Sequence, residues 1–232
     1  MQCCVYDAVS HTQAAHSTMD SPLPFLNAHQ NRTGHLTLIV GPMWAGKTSA
    51  LHTLWSQLQI ANIPCLCVNH DIDGSRFASN VTESPTVSTH NGSRLPCVYL
   101  SELMSLLSSD TADTYPGKQE FDSASVCMVN EAQFFPDVVK FAKIAVEERG
   151  KALVLAGLDS DFLRRPWPNM WLHELLPLAD VIEKKTSWCA HCKKMPALFS
   201  FRKARSLETV LVGSSDSYIP VCRQCWTMLN PQ

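Results

Sequence analysis

Eight consecutive residues combine glycine, lysine and a hydroxyl side chain in a pattern that is typical of phosphate binding. They are Gly41, Pro42, Met43, Trp44, Ala45, Gly46, Lys47 and Thr48. Glycines in such a loop let backbone N–H groups curl around phosphate oxygens, and a helix that starts behind them adds a partial positive charge. The lysine can reach the β- and γ-phosphates, and the hydroxyl of Thr48 can hold Mg²⁺.

The segments on either side of this loop have the properties that it requires. His35–Val40 is an apolar run of strand length. Apolar side chains then recur at helical spacing, at Leu51, Leu54, Trp55 and Leu58, which predicts a helix over Lys47–Ile60. A strand, a glycine loop and a helix in this order distinguish a phosphate loop from a glycine turn that binds nothing. We therefore expect the chain to bind a nucleoside triphosphate, ATP.

Two C-x-x-C pairs lie near the end of the sequence and could hold a metal ion. The four residues are Cys189, Cys192, Cys222 and Cys225. Four thiolates form a closed tetrahedral Zn²⁺ site, which has no open position for chemistry. The interval between the pairs exceeds the ~15–20 residues of common zinc ribbons, and reduced core thiols or a redox pair are the alternatives. Because both pairs fall in one small region, we predict a structural zinc that holds both ends of residues 193–221 in place. His191 could replace one cysteine as a ligand, but this is less favoured.

A carboxylate directly follows another apolar run. Residues 125–130 have the composition of a buried strand, and Glu131 comes next. The carboxyl ends of parallel strands face the ligand crevice in nucleotide-binding sheets, so a carboxylate there can act as general base or organise Mg²⁺. A solvated loop glutamate is the alternative reading. Phe134, close behind it, is either a core residue or a flat wall for a planar base.

Apolar runs that alternate with helical patterns predict an α/β fold, with a parallel sheet that helices cover on both faces. Further strands are expected at residues 65–69, 95–100, 125–130 and 152–157. We expect a helix that opens at Pro136 and a loop over 111–123. The predicted organisation is a disordered tail over 1–34, a P-loop nucleotide-binding domain over 35–184, and a small zinc-binding subdomain with a lasso-like loop over 185–232.

Composition and charge limit the partners of the chain. Its net charge is −2 and its basic residues are scattered, so we expect no nucleic-acid partner. Its apolar runs fall short of the ~18 residues that span a bilayer, so we expect no membrane partner. Its ten cysteines come without a secretory signal, which favours thiols and ligands over disulfides and a cytoplasmic location.

Several segments together resemble one known family. They are the phosphate loop 41–48, the segment Glu131-Ala-Gln-Phe-Phe135, the stretch from Leu158 to Trp167, and both cysteine pairs in the same order. In combination they are similar to the zinc-containing thymidine kinases of cellular, bacterial and poxviral type, of which this chain looks like a divergent member. The resemblance covers about residues 35–226.

The resemblance implies transfer of the γ-phosphoryl group of ATP to the 5′-hydroxyl of thymidine. Glu131 would be the general base, Arg76 would lie near the phosphates, and residues 193–221 would cover the base. The nucleoside-binding residues would be Met43, Phe134, Leu158, Phe162, Trp167, Ser200, Val212, Gly213, Ser214, Ser215 and Tyr218. The implied cofactors are Mg²⁺ and structural Zn²⁺, and the implied assembly is a homotetramer.

One departure from the family pattern concerns metal binding. The residue before the glutamate is normally Asp, which helps to organise Mg²⁺, and here it is Asn130. An amide keeps an acceptor but loses the charge. Two alternatives to a working thymidine kinase therefore stay open. One is a kinase whose nucleoside preference has drifted, and the other is a weakened or non-catalytic nucleotide-binding relative of the family. A zinc-ribbon ATPase that acts on nucleic acid is disfavoured because the basic patch is missing.

Overall fold

A six-stranded parallel sheet is the centre of the molecule. A computed structural model describes residues 33–74, 86–88, 94–108, 115–203 and 217–230. In chain order the strands are β1 (His35–Val40), β2 (Cys65–His70), β3 (Thr86–Ser88), β4 (Arg94–Pro96), β5 (Val98–Leu100), β6 (Val126–Val129), β7 (Ala152–Gly157), β8 (Val181–Lys184), β9 (Ser187–Trp188), β10 (Pro196–Ala197), β11 (Phe199–Arg202) and β12 (Tyr218–Val221). The main sheet has the order β5, β2, β6, β7, β1, β8, and its neighbouring strands are all parallel. This confirms the predicted fold class.

The described residues form six α-helices, of which all but the last flank this sheet. In chain order they are α1 (Lys47–Ile60), α2 (Asp71–Gly74), α3 (Lys118–Ser123), α4 (Val138–Lys143), α5 (Trp171–Leu175) and α6 (Arg223–Leu229). Short 3-10 turns occupy Leu103–Leu107, Ala132–Phe134 and Leu176–Leu178, and a π-helical turn over Ile144–Glu148 continues α4. Within the described ranges, the helices are too short or too polar to cross a membrane.

Each strand of the sheet contributes to two cores because successive side chains point to opposite faces. Leu38 packs into the first core, which α4 and α5 cover with Phe141 and Trp171. The next residue, Ile39, packs into the second core, which α1 covers with Leu51. Full burial of one such apolar side chain stabilises the fold by about 1.5–3 kcal/mol. Both faces of the sheet are therefore apolar. The polar residues predicted to bind phosphate have to lie at an edge of the sheet where strands end.

Three predicted elements differ from the structure, and the first two are a strand and a loop. The strand predicted at 95–100 is two strands, since β4 pairs antiparallel with β3 whereas β5 joins the main sheet beside β2. The predicted loop 111–123 contains α3, which starts behind Gly117 (φ 78°) and buries Phe121 against Phe141 with 5.6 Å between ring centroids. The contact of the Phe121 ring with a residue distant in sequence thus stabilises α3, although most of its residues are polar.

The helix predicted to open at Pro136 begins two residues later, at Val138. Asp137 precedes it, and its carboxylate accepts a hydrogen bond from the backbone N–H of Met104 at 2.7 Å. This residue therefore connects two segments that are distant in sequence, and the helix starts only behind it.

Beyond Lys184 the described chain forms short strand pairs and one helix. β9 pairs with β10 and β11 with β12, both antiparallel, and α6 packs against them around Trp226. The division of the chain into domains stays a prediction. Most of the predicted tail, residues 1–32, lies outside the described residues.

Candidate active site

The residues between β1 and α1 form a tight loop at the carboxyl edge of the sheet. Gly41 has φ 149°, and a Cβ there would lie 2.4 Å from the carbonyl oxygen of Lys185. Gly46 has φ 77° directly before α1, which other residues rarely adopt. Among the described residues no side chain caps α1. The first N–H groups of this helix are therefore available to phosphate oxygens.

Lys47 lies against this loop and not in solvent. Its side chain is buried, and Nζ donates a hydrogen bond to the carbonyl oxygen of Pro42 at 2.8 Å. Burial lowers the pKa of Lys47, while the nearby carboxylates of Glu131 and Asp159 act in the opposite direction. Lys47 is thus the positive centre of a site whose negative groups follow β6 and β7.

A chain of polar side chains connects α1 to the ends of β6 and β2. The hydroxyl of Thr48 donates to Oδ1 of Asn130 at 3.2 Å, and Nδ2 of Asn130 donates to Oδ1 of Asn69 at 3.2 Å. Both asparagines are buried, so the two bonds fix which way the amide of Asn130 points. Since the proton of Thr48 is engaged, its lone pairs remain available to a cation. Hydroxyl, amide and carboxylate oxygens are ligands that suit Mg²⁺.

Glu131 follows β6 in an uncommon backbone conformation. Its φ of 55° and ψ of 43° lie in the left-handed region, which costs a non-glycine residue about 1–3 kcal/mol. Nε2 of Gln133 donates to Oε2 of Glu131 at 2.5 Å, and Oε1 of Gln133 accepts from the backbone N–H of Leu158 at 2.9 Å. The turn therefore holds a carboxylate within electrostatic reach of Lys47.

Some residues predicted for the nucleoside pocket contact one another or the phosphate loop. The rings of Phe134 and Trp167 meet edge to face, with 5.7 Å between centroids. The backbone N–H of Met43 donates to Oγ of Ser200 at 3.0 Å. This bond joins the phosphate loop directly to β11, in the segment that carries the cysteines.

Phe162 and Tyr218 are brought together by a third residue, Arg202. The guanidinium carbon of Arg202 lies 3.9 Å from the centroid of the Phe162 ring. Nε of Arg202 donates to the hydroxyl of Tyr218 at 2.9 Å, and a second N–H of the guanidinium donates to the same oxygen. The remaining predicted site residues lie outside the described residues: Arg76, Val212, Gly213, Ser214 and Ser215.

The four cysteines of the two C-x-x-C pairs converge. Their sulfur atoms all lie within 4.8 Å of one another, and the Cys192 and Cys222 sulfurs are 3.9 Å apart. A tetrahedral zinc with Zn–S bonds of about 2.3 Å requires sulfurs about 3.8 Å apart, so the cluster fits this ion. His191 is not part of the cluster. Burial opposes ionisation of Cys189, yet backbone N–H groups of residues including Cys192 and Cys222 lower its pKa to about 6. Burial and the other three cysteines raise the pKa of Cys225 to about 12, so the fit to zinc rests on the positions of the sulfurs and not on these pKa values.

Comparison with known proteins accounts for this combination of sites. A family model described as thymidine kinase matches residues 34–226. A rice (Oryza sativa subsp. japonica) protein named thymidine kinase is 34% identical over 200 residues, which cover 86% of this chain and 68% of the rice protein. The myxoma virus (strain Uriarra) thymidine kinase is 34% identical over 193 residues, which cover 83% of this chain and 96% of the viral protein. For the vaccinia virus (strain Western Reserve) thymidine kinase the identity is 32% over 193 residues, with 83% and 97% covered.

The chain belongs to the thymidine kinase family. This confirms the resemblance drawn from the sequence and makes the chain a kinase.

Three residues that contact the predicted site residues or Asn130 were not predicted from the sequence: Gln133, Asn69 and Arg202. Gln133 lies inside a segment that resembles the family, but no role was assigned to it. Asn69 ends the segment predicted as a strand at 65–69, and polar residues at such ends were a usable signal. Arg202 lies two residues beyond Ser200 on β11, so the two share a face of the strand, which also was a usable signal.

Proposed function

We propose that this chain transfers the γ-phosphoryl group of ATP to the 5′-hydroxyl of thymidine, in the salvage of nucleotides for DNA precursor synthesis. The observation that carries the proposal is that the phosphate loop and a carboxylate meet at one edge of the sheet. Lys47 interacts electrostatically with Glu131, and Thr48 is bonded to the adjacent Asn130. The relatives named thymidine kinase support the choice of substrate.

In this proposal Glu131 accepts the proton of the 5′-hydroxyl as that oxygen attacks the γ-phosphorus. The bond between the γ-phosphorus and the β–γ bridging oxygen breaks, and ADP leaves with the electron pair. Lys47 and the N–H groups of residues 41–48 bind the triphosphate and offset the charge that develops on the transferred group. Mg²⁺, when bound, supplies further charge neutralisation between the phosphates, and Thr48 and Asn130 are the residues that would hold it. Arg76 is proposed to add a second positive charge at the phosphates.

Thymidine recognition is proposed to use the aromatic residues of this edge. Phe134 and Trp167 offer one pair of rings, and Phe162 and Tyr218 offer a second pair that Arg202 holds together. Aromatic rings of this kind fit a planar base. Met43, Leu158 and Ser200 complete the proposed pocket. Val212, Gly213, Ser214 and Ser215, within residues 193–221, are proposed to cover the base.

A structural Zn²⁺ is proposed for the four cysteines. The sulfur separations suit tetrahedral coordination, and residues of β10, β11, β12 and α6 pack in one core with the cysteines. Metal binding to such a site contributes directly to folding. The ion would stabilise the ends of residues 193–221 and take no part in phosphoryl transfer, because a closed site offers no open coordination position.

A homotetramer in the cytoplasm is also proposed, as the family resemblance implies. One feature of the fold supports assembly: β8 is an edge strand of the main sheet, and its Val181 and Ile182 are 37% and 47% exposed. Edge strands with exposed apolar side chains favour pairing with another chain. Light scattering coupled to gel filtration measures the assembly directly.

A coupled assay of ADP release tests the proposed function. The full chain is supplied with ATP and each deoxynucleoside in turn, with and without Mg²⁺. We expect ADP release that requires both thymidine and Mg²⁺. Release with a different deoxynucleoside would show a drifted preference. Binding of ATP without release on any deoxynucleoside would overturn the kinase activity and support a non-catalytic nucleotide-binding protein.

A further inference from the structure

We propose that Gln133 is a positioning residue for phosphoryl transfer, whose side-chain amide fixes the direction of the Glu131 carboxylate and ties it to the backbone at the end of β7. This inference deepens the proposed function and rests on the role of Glu131 as general base. Gln133 is proposed to act through its neighbour Glu131 and not through direct contact with phosphate or nucleoside.

The two ends of the Gln133 amide have different and complementary partners. Oε1 faces the backbone N–H of Leu158 at 2.9 Å, and this partner can only donate. Nε2 must therefore be the group that faces Oε2 of Glu131 at 2.5 Å. A carboxylate can only accept, so this bond suits Glu131 in the ionised form that a base requires. Gln133 is 3% exposed, and water is poorly placed to replace either bond.

The surroundings of Gln133 hold its backbone as well as its side chain. Nδ2 of Asn169 donates to the carbonyl oxygen of Gln133 at 3.2 Å and to that of Phe135 at 2.8 Å. Gly157 is the last residue of β7, and a larger residue there would collide with Gln133 and Trp171. A Cβ there would lie 2.7 Å from Oε1 of Gln133 and 2.9 Å from the Trp171 ring. The pocket is thus shaped around a glutamine side chain in this position.

The bond to Leu158 gives the arrangement a functional consequence. Leu158 belongs to the proposed nucleoside pocket, and Glu131 is the proposed base on the 5′-hydroxyl of the same nucleoside. Gln133 therefore sets the position of the base relative to the strand end that positions its substrate. Misplacement of a reacting group by about 1 Å can cost about 10²-fold in rate, so one lost amide bond can have a large kinetic effect.

A double-mutant cycle measures this coupling. Gln133→Glu keeps an acceptor for Leu158 but presents an oxygen to Glu131, and Gln133→Met removes both bonds. We expect Gln133→Glu to lower kcat for thymidine by about 10–100-fold, where the upper value is the loss caused by a misplacement of about 1 Å. KM for ATP should stay within about twofold. In a Glu131→Gln background the same change should cost nothing further. Gln119→Glu makes the identical chemical change on the exposed face of α3 and should leave kcat unchanged.

Two outcomes would overturn the role of Gln133. One is wild-type kcat in Gln133→Glu, and the other is an equal loss in the wild-type and Glu131→Gln backgrounds, which would show a merely structural effect. If Gln133→Met fails to fold, the double-mutant cycle is measured with the isosteric variant Gln133→Glu alone.

A second readout does not depend on turnover. The side-chain amide of Gln133 gives an ¹⁵N–¹H resonance, assigned by its loss in Gln133→Glu, and Glu131→Ala should shift it. An unshifted resonance overturns the inference even if thymidine is not the substrate, whereas absent turnover with a shifted resonance would contradict only the proposed function.

Discussion

The hydroxyl of Thr48 donates a hydrogen bond to Oδ1 of Asn130 at 3.2 Å, where the resemblance to the family implies a carboxylate. On its other side, Asn130 donates to Oδ1 of Asn69. An aspartate at 130 would keep the bond from Thr48, but its second oxygen would face the acceptor oxygen of Asn69. The amide of Asn69 would then have to turn and present its nitrogen. An uncharged side chain at position 130 therefore depends on Asn69 as well, because the two amides are hydrogen-bonded to each other.

Asn130→Asp is expected to lower the Mg²⁺ concentration needed for half-maximal rate and to raise turnover. A carboxylate is a better ligand than an amide for this hard cation. The same charge is costly when it is buried without a compensating cation, so the melting temperature without ligands should fall and recover with Mg²⁺ and ATP. Magnesium titrations of the initial rate and thermal melts measure both effects.

Asn130→Ala is the matched control, because it removes the acceptor of Thr48 without adding charge. It should raise the Mg²⁺ requirement. If Asn130→Asp changes neither the Mg²⁺ dependence nor the rate, Asn130 does not face the metal, and the assignment of this strand end as the metal edge is wrong.

Glu131→Gln is expected to reduce turnover by about 10²–10⁴-fold, the usual contribution of a general base. ATP binding should change little, because Lys47 and the loop backbone hold the phosphates. Single-turnover kinetics and calorimetric titration with ATP separate these effects. A variant that turns over at the wild-type rate would remove Glu131 from the role of base.

Cys189→Ser or Cys222→Ser is expected to release about one zinc ion per chain and to loosen residues 193–221. Both residues belong to the four-sulfur cluster, and loss of one thiolate weakens a closed site. Elemental analysis and the rate of proteolysis within residues 193–221 measure the effect. Cys65→Ser changes a half-buried thiol outside the cluster and should retain the metal. A wild-type protein without zinc would refute the proposed metal site.

The sequence predicts those parts of the structure that depend on local patterns. The bounds of β1, α1 and β7 agree with prediction because their apolar periodicity is strong and Gly41 and Gly46 mark the loop between two of them. The cysteine cluster was predictable for a similar reason, since a C-x-x-C turn already places two ligands together.

Features that depend on distant contacts were not predictable in this way. Nothing near Gln133 in the sequence indicates that it bonds to Leu158, because the contact exists only once β6 and β7 are adjacent. α3 likewise depends on Phe121 meeting Phe141. Local propensity is weak in both places, and tertiary packing decides the outcome.

Arg202→Met is expected to raise KM for thymidine by about 2–30-fold and to leave KM for ATP unchanged. The guanidinium lies 3.9 Å from the Phe162 ring and bonds to the Tyr218 hydroxyl. A cation–π contact contributes about 0.5–2 kcal/mol, with the higher values where it is desolvated. Its loss frees two rings of the proposed pocket. Arg164→Met is the control: that guanidinium lies 3.6 Å from the Trp226 ring, so its loss should lower the melting temperature without affecting thymidine. Equal effects of both variants on KM for thymidine would show that Arg202 stabilises the fold and does not shape the nucleoside pocket.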